Sequence, residues 1–148
     1  RFLLKREEQR IFFLDATVEY GKLVWQGMQK IFSKKGCCLQ EEQYLEIPKD
    51  RDLRRMFYKI RLAGLALSAD MLVFASAVQG AEAVGYLHDL EIKVPEEIEV
   101  IAVGKEETAL ICRPQLTTVE FDKKRFVRQA IEELYVQMIK GYILTKSG

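Results

Sequence analysis

Few residues in this sequence combine the types and spacing that catalysis requires. Asp15 follows the apolar run Ile11-Phe12-Phe13-Leu14 and ends a predicted strand, as a phosphoryl-accepting or metal-binding carboxylate would. However, the residues beside it are not acidic, and no lysine ends a later strand in a matching position. Neither a glycine-rich phosphate loop nor a G-x-S-x-G serine elbow occurs in the sequence. We therefore predict that the protein is not an enzyme.

The thiols and the single imidazole do not form a metal-binding pattern. Cys37 and Cys38 are adjacent, Cys112 is far along the chain, and no pair has the C-x-x-C spacing of a zinc site. His88 lies in a predicted helix, next to Asp89. Adjacent cysteines rarely form a disulfide with each other, so free thiols in a reducing cytosol are the simplest interpretation. We predict no metal, no cofactor and a cytoplasmic location.

Length and charge exclude several further classes. The 148 residues suffice for one ordinary domain with a substantial core. The 23 basic and 22 acidic residues nearly cancel, and no basic run occurs, so nothing is typical of DNA or membrane binding. The apolar stretches are too short to span a bilayer, and no secretory signal is visible. Because the first residue is Arg rather than Met, we expect the chain to be part of a longer protein.

Apolar runs and amphipathic segments alternate along the chain. Four short runs predict buried strands at residues 11–14, 44–48, 71–75 and 98–103, and a helical pattern follows each of the first three. Leu53, Met56, Phe57 and Ile60 mark the second helix, which places the arginines at 54 and 55 on its solvent-exposed face. The alternation predicts an α/β fold, in which a parallel sheet has helices on both faces.

The last predicted helix carries a broad apolar stripe. Asp122 is its expected N-cap and Gly141 its expected stop, around an 18-residue pattern from Lys123 to Lys140. Its apolar residues recur as adjacent pairs every four positions: Phe126, Val127, Ala130, Ile131, Leu134, Tyr135, Met138 and Ile139. A stripe of this size must be covered, because each large side chain left in water forgoes about 1.5 kcal/mol or more.

Two segments near the C-terminus carry a resemblance to a known family. Val94–Gly104 reads VPEEIEVIAVG and Pro114–Phe121 reads PQLTTVEF, with Pro114 ten residues after Gly104. The pair resembles the effector-binding domain of the lac/gal repressor family of bacterial transcription regulators, which reads VP-E-D-I-x-V-I-G-F-D-D and P-x-L-T-T-V. The resemblance implies the type I periplasmic-binding-protein fold, a Rossmann-like three-layer α/β/α arrangement. Residues 1–113 would then form the C-terminal subdomain, and residues 114–148 the crossover segment and a helix that belongs to the N-terminal subdomain.

The resemblance also implies where an effector would bind. In the family, a small effector lies in the cleft between subdomains and contacts polar side chains at the carboxyl ends of the strands. Three charged positions recur: an Arg that begins R-x-x-G-F, an Asp that closes the third strand, and the first Asp of G-F-D-D. Val24, Ala77 and Gly104 occupy the matching positions here. A cleft lined by these residues cannot hold a polyol in the usual way.

Two interpretations of these replacements are open at this point. In the first, the site has drifted and binds no ordinary sugar. In the second, the pocket is apolar and uses neighbouring side chains: Tyr20, Trp25, Ile47, Lys105 and Phe121. Trp25 can stack on a ligand ring, although a helical tryptophan is more often a core residue.

Self-association is a further expectation from the resemblance. Family members pair symmetrically through their C-terminal subdomains, which makes Met56, Leu110 and Ile111 candidates for a buried dimer interface. Leu134 and Met138 join them, because the N-terminal subdomain on which the last helix lies in the family is absent from this chain. We expect that helix to pack mainly against another polypeptide.

The sequence therefore predicts a non-enzymatic fragment of a lac/gal-type regulator that senses a ligand and forms dimers. Its expected partners are a second copy of the chain and a small-molecule effector. DNA would be bound only by a headpiece outside the chain, and no membrane is involved. Two alternatives are a fragment of the sugar-binding protein of an ABC importer and a degenerate domain that serves only dimerisation.

Overall fold

The structure, a computed structural model, describes residues 10–17, 19–104, 112–120 and 122–146, with the backbone alone at residues 123, 126 and 140–146. The elements follow in the order β1 (Ile11–Asp15), α1 (Glu19–Ser33), β2 (Tyr44–Glu46), α2 (Arg51–Ser68), β3 (Met71–Phe74), α3 (Ala77–Asp89), β4 (Glu99–Val103), β5 (Thr117–Val119) and α4 (Lys123–Lys146). A short 3-10 turn, Glu41–Gln43, precedes β2. The predicted alternation of strand and helix is confirmed.

The strands form one sheet in the order β2-β1-β3-β4-β5, and every neighbouring pair is parallel. Phe13 of β1 pairs in register with Tyr44 of β2 on one side and with Val73 of β3 on the other. Parallel neighbours require a crossover connection, and α1, α2 and α3 provide the connections from β1 to β4. The α/β class that the sequence predicts, with a parallel sheet, is confirmed.

Both faces of the central strands β1, β3 and β4 are buried, which explains why these strands read as nearly continuous apolar runs. The edge strands β2 and β5 contain no buried residue, so the run at residues 44–48 forms a partly exposed strand rather than a buried one. Successive residues of β1 face opposite sides: Ile11 and Phe13 pack in the cluster that includes α1, and Leu14 packs in the cluster that includes α2 and α3. α3 approaches the sheet closely, because a Cβ at Gly80 would lie only 2.9 Å from the Cβ of Ala102. Larger residues at either position would push α3 away from β4.

The face that α2 turns to the sheet differs from the prediction. Its buried residues are Arg54, Tyr58, Leu62 and Leu65, whereas Leu53, Met56 and Ile60 are exposed. The prediction that Arg54 is solvent-exposed is wrong: the residue is only 8% exposed and forms an ion pair with Glu82 of α3 at 2.8 Å. Because this partner satisfies its charge, Arg54 can be buried. α2 therefore carries apolar side chains on an inner and an outer face.

α4 begins as predicted and ends later. The Arg125 N–H donates a hydrogen bond to Asp122 Oδ1 at 2.9 Å, which confirms Asp122 as the N-cap. The prediction that Gly141 stops the helix is wrong, since α4 continues to Lys146; a glycine inside a helix costs only about 1 kcal/mol. Every described side chain of α4 is exposed. Neither α4 nor any other helix in the described ranges is long and apolar enough to cross a membrane.

Candidate functional site

The parallel strands all end at one edge of the sheet. The effector contacts predicted from the sequence are expected at this edge. Asp15 ends β1, Ile47 follows β2, Ala75 follows β3 and Gly104 follows β4. We call this the carboxyl edge. In open α/β sheets, ligands bind in the crevice outside this edge, so it is the candidate functional site.

Asp15 closes β1 with a side chain that is completely buried. Its Oδ1 accepts hydrogen bonds from the backbone N–H and from the hydroxyl of Thr17, both at 2.6 Å. Its Oδ2 accepts a hydrogen bond from the Tyr44 hydroxyl at 3.0 Å. A buried carboxylate costs free energy unless donors surround it, and these groups supply them. A carboxylate enclosed in this way is not open to a substrate or a metal ion.

Gly21 and Tyr44 both accommodate the buried Asp15 side chain. A Cβ at Gly21, in the first turns of α1, would overlap the Asp15 carboxylate, so only glycine fits there. The Gly21 N–H donates a hydrogen bond to the Thr17 hydroxyl at 3.0 Å, which joins the turn to the helix. Burial raises the pKa of Tyr44, and the hydrogen bond to Asp15 and the charges of Asp15 and Glu46 raise it further. The phenol therefore stays neutral and remains a donor.

The β3–β4 end of the carboxyl edge is built differently. Ser76 is the N-cap of α3, but its side chain makes no capping hydrogen bond. Gln79 Oε1 is buried and has no hydrogen-bond partner among the described residues. Gly104 has a φ of 107°, a conformation that favours glycine, and its N–H donates to the Val119 carbonyl at 2.9 Å. This end retains an unpaired polar atom, whereas the donors at the β1 end enclose a carboxylate.

The predicted effector contacts differ in exposure. Tyr20 is exposed, Val24 and Gly104 are half-buried, Ile47 and Ala77 are buried, and Lys105 and Phe121 lie outside the described residues. Trp25 is a core residue: it is only 4% exposed, and its ring centroid lies 6.0 Å from that of Phe13 and 5.8 Å from that of Tyr44. The five placed positions bring no charged side chain to the edge. Whether they contact an effector stays a prediction.

One polar contact that the sequence did not reveal fixes the loop after β2. Arg54 Nη1 donates hydrogen bonds to the carbonyls of Pro48 and Lys49 at 3.2 and 2.8 Å, and Arg54 Nε donates to Glu82 Oε2 at 2.8 Å. The hydrogen bond to Glu82 raises the pKa of Arg54, although burial lowers it. Because Ile47 directly precedes this loop, the Arg54–Glu82 pair positions one predicted effector contact relative to α3.

The predicted interface residues fall on two exposed surfaces. Met56 is 57% exposed and belongs to the outer stripe of α2, which we define as Leu53, Met56, Ile60 and Leu67. Leu134 and Met138 are 57% and 65% exposed and belong to the α4 stripe, defined as Val127, Ile131, Leu134, Tyr135, Met138 and Ile139. Leu110 and Ile111 lie outside the described residues. These exposures fit interface residues in an isolated chain, and pairing itself stays a prediction.

The metal-ligating side chains are dispersed. Within the described part of the chain, no group of three or more His, Cys, Asp or Glu residues is arranged to hold a metal ion. Cys37, Cys38 and Cys112 are free thiols.

The sequence matches the family described as periplasmic binding protein-like domain over residues 1–143. The match covers nearly the whole chain, and the chain belongs to this family. No match to the chain is found among the curated proteins.

Solved structures of transcription regulators share the fold. The transcriptional repressor ascG of Escherichia coli has a TM-score of 0.70 at 20% identity, with 95% of this chain and 51% of that chain covered. The transcriptional regulator CelR in complex with cellobiose has a TM-score of 0.70 at 21% identity, covering 95% and 43%. The regulator GntR of Chromobacterium violaceum has a TM-score of 0.65 at 24% identity, covering 80% and 44%. The chain thus spans about half the length of these proteins, and the predicted resemblance to regulators of the lac repressor type is confirmed.

Proposed function

We propose that this chain is the ligand-sensing and dimerisation part of a LacI-type transcription regulator, and that it acts in the cytoplasm without catalysis. The observation that carries the proposal is the family match over residues 1–143, joined with a fold shared over 95% of the chain with a transcriptional repressor. Because the chain has a net charge of only +1, DNA binding is assigned to protein outside it.

The course of the chain supports a two-subdomain arrangement. Residues 1–113 would form one subdomain, and residues 114–148 would cross to the other. β5 pairs with β4 at the edge of the sheet, through Val103 and Val119. The described side chains of α4 are exposed rather than packed on this sheet. The exposure of these side chains supports the proposal that α4 covers a second subdomain.

The effector is proposed not to be a common hexose or purine. Such ligands need charged or polar side chains that converge in a partly desolvated cleft. Val24, Ala77 and Gly104 provide none, and Ala77 is fully buried. At Gly104 the φ of 107° also disfavours an Asp, so a single substitution would not restore the family pattern without strain.

Dimerisation is assigned to the outer stripe of α2. Leu53, Met56, Ile60 and Leu67 are 56%, 57%, 71% and 84% exposed. Their spacing of three, four and seven residues places them along one face of the helix. A symmetric pairing of two such faces would bury all four side chains from each copy.

The test uses the full-length protein and two assays. A gel mobility-shift assay should show sequence-specific binding to DNA near its own gene. Calorimetry with glucose and with hypoxanthine should show no measurable heat of binding. Micromolar binding of either ligand would overturn the drifted-site interpretation. A full-length protein that carries an export signal and binds no DNA would overturn the regulator and favour the importer alternative.

A further inference from the structure

Two adjacent cysteines, Cys37 and Cys38, lie where the chain leaves α1. The helix ends in a Schellman motif: the Gly36 N–H donates to the Ser33 carbonyl at 3.1 Å, and the Cys37 N–H donates to the Phe32 carbonyl at 3.0 Å. Gly36 has a φ of 82°, the left-handed conformation that this motif requires and that favours glycine. The backbone of Cys37 is therefore part of the structure that closes α1.

The two thiols differ in exposure and in contacts. Cys37 is half-buried and packs against the apolar cluster that contains Trp25, Met28 and Phe32. An apolar contact from this position of a Schellman motif to the last turns of the helix commonly accompanies the two hydrogen bonds. Cys38 is exposed, and both thiols are free. Cys37 thus acts as a small apolar side chain at the end of α1, while its neighbour presents a thiol to solvent.

Two adjacent thiols are too few ligands for a tetrahedral zinc site, but they can chelate a softer partner. Thiolates are soft ligands and select soft, thiophilic atoms. One peptide unit separates the two residues, so a ligand held by both sulfurs closes a small ring and needs a bent angle between its two bonds to sulfur. Trivalent arsenic is pyramidal and has such an angle, whereas linear two-coordinate metal ions would strain the ring. A monosubstituted arsenical keeps one organic group and requires only two thiols from the protein.

We propose that Cys37 and Cys38 form a binding site for monosubstituted trivalent arsenicals, and that binding releases Cys37 from the end of α1. An arsenical of the form R–As=O loses its oxygen as water, which takes up both thiol protons. Two arsenic–sulfur bonds form, and no group is oxidised or reduced. Because Cys37 packs against the apolar cluster and Cys38 is exposed, the two sulfurs meet on one arsenic atom when the Cys37 side chain leaves the cluster.

Phenylarsine oxide added to the full-length protein tests the site. Mass spectrometry should find one phenylarsenic group on the tryptic peptide of residues 36–49, which contains both cysteines. Cys38→Ser leaves one thiol in this peptide and should bind the reagent about a hundredfold more weakly, because the second arsenic–sulfur bond of the wild type forms within one molecule. Cys112→Ser removes a thiol elsewhere in the chain and should bind at residues 36–49 as the wild type does.

The fluorescence of Trp25 and the unfolding temperature report whether Cys37 leaves the cluster. Trp25 is the only tryptophan of the 148 residues and belongs to that cluster. Trp25→Phe identifies its share of the emission of the full-length protein. Phenylarsine oxide should change this share in the wild type and lower the unfolding midpoint by about 3 °C, because the unfolded chain presents both thiols without losing a contact. Cys38→Ser should show neither change.

Equal binding of phenylarsine oxide by Cys38→Ser and by the wild type would overturn the proposal, since one thiol would then suffice. A wild type that does not bind the reagent at residues 36–49 would overturn it as well. Binding that requires both cysteines but leaves the Trp25 emission and the unfolding midpoint unchanged would refute the release of Cys37. None of these results depends on DNA binding, so the arsenical site and the regulator stand or fall separately.

Discussion

α2 and α4 are both long helices with an exposed apolar stripe, but only α2 is anchored to the sheet. Tyr58, Leu62 and Leu65 bury the inner face of α2, so its position does not depend on the outer stripe. α4 has no buried side chain among those described. An isolated helix gains little stability in water, and most helical stability in proteins comes from packing an apolar face. The outer stripe of α2 is therefore free for association, whereas the α4 stripe needs a partner to hold the helix itself.

The largest effect is expected from breaking the α4 stripe. Leu134→Asp together with Met138→Asp should change the oligomeric state and the solubility of this chain, because both side chains are more than half exposed and are predicted to pack against another polypeptide. Covering the six large side chains of the stripe is worth on the order of 10 kcal/mol. Sedimentation velocity on the wild type and the double variant measures the change.

The matched control places the same two charges outside the stripe. Gln129→Asp together with Gln137→Asp alters the same helix but spares its apolar face. This variant should sediment as the wild type does. If Leu134→Asp with Met138→Asp also left the oligomeric state and solubility unchanged, α4 would not be a contact between chains.

The second-largest effect, a loss of stability, is expected from breaking the Arg54–Glu82 ion pair on the inner face of α2. Glu82→Gln removes the charge that pairs with Arg54, which is only 8% exposed, and should lower the free energy of unfolding by about 2 kcal/mol. Urea denaturation of the full-length protein measures the loss. Arg55→Met is the control, because Arg55 is exposed and contacts Tyr86 Oη at 3.1 Å. A loss for Arg55→Met as large as that for Glu82→Gln would contradict the special role of the buried pair.

The sequence predicted strands better than helix faces. The runs around Phe13 and Val73 could be identified because a strand buried on both sides is apolar at every position. The inner face of α2 could not be identified from the sequence, because Leu53, Met56 and Ile60 form as regular a stripe as the buried residues do. The buried Arg54 belongs to the inner face because it pairs with Glu82, 28 residues away. Local periodicity carries no information about such a partner.

The candidate site, too, could be predicted only in part from the sequence. The position of Asp15 at a strand end was visible in the sequence, and this alone suggested a reactive carboxylate. Its enclosure depends on Tyr44, which reaches it from the neighbouring strand, and on the missing side chain of Gly21. Both follow from the strand order and the path of α1. The replacement of charged family positions by Ala77 and Gly104 was visible, but the positive φ at Gly104 was not.

The smallest effect tests the outer stripe of α2. Met56→Asp should change the free energy of unfolding of the full-length protein by less than about 0.5 kcal/mol, because the side chain is 57% exposed and lies outside the core. It should nevertheless weaken dimerisation about tenfold, or about 1.4 kcal/mol, since a charge would be buried between two symmetric faces. Met56→Leu keeps the apolar surface and should dimerise as the wild type does. Analytical ultracentrifugation gives the dissociation constant, and urea denaturation gives the stability. A stability loss of several kcal/mol for Met56→Asp would show that the outer stripe supports the fold and would contradict the difference between α2 and α4. An unchanged dissociation constant would show that Met56 is not part of the dimer interface.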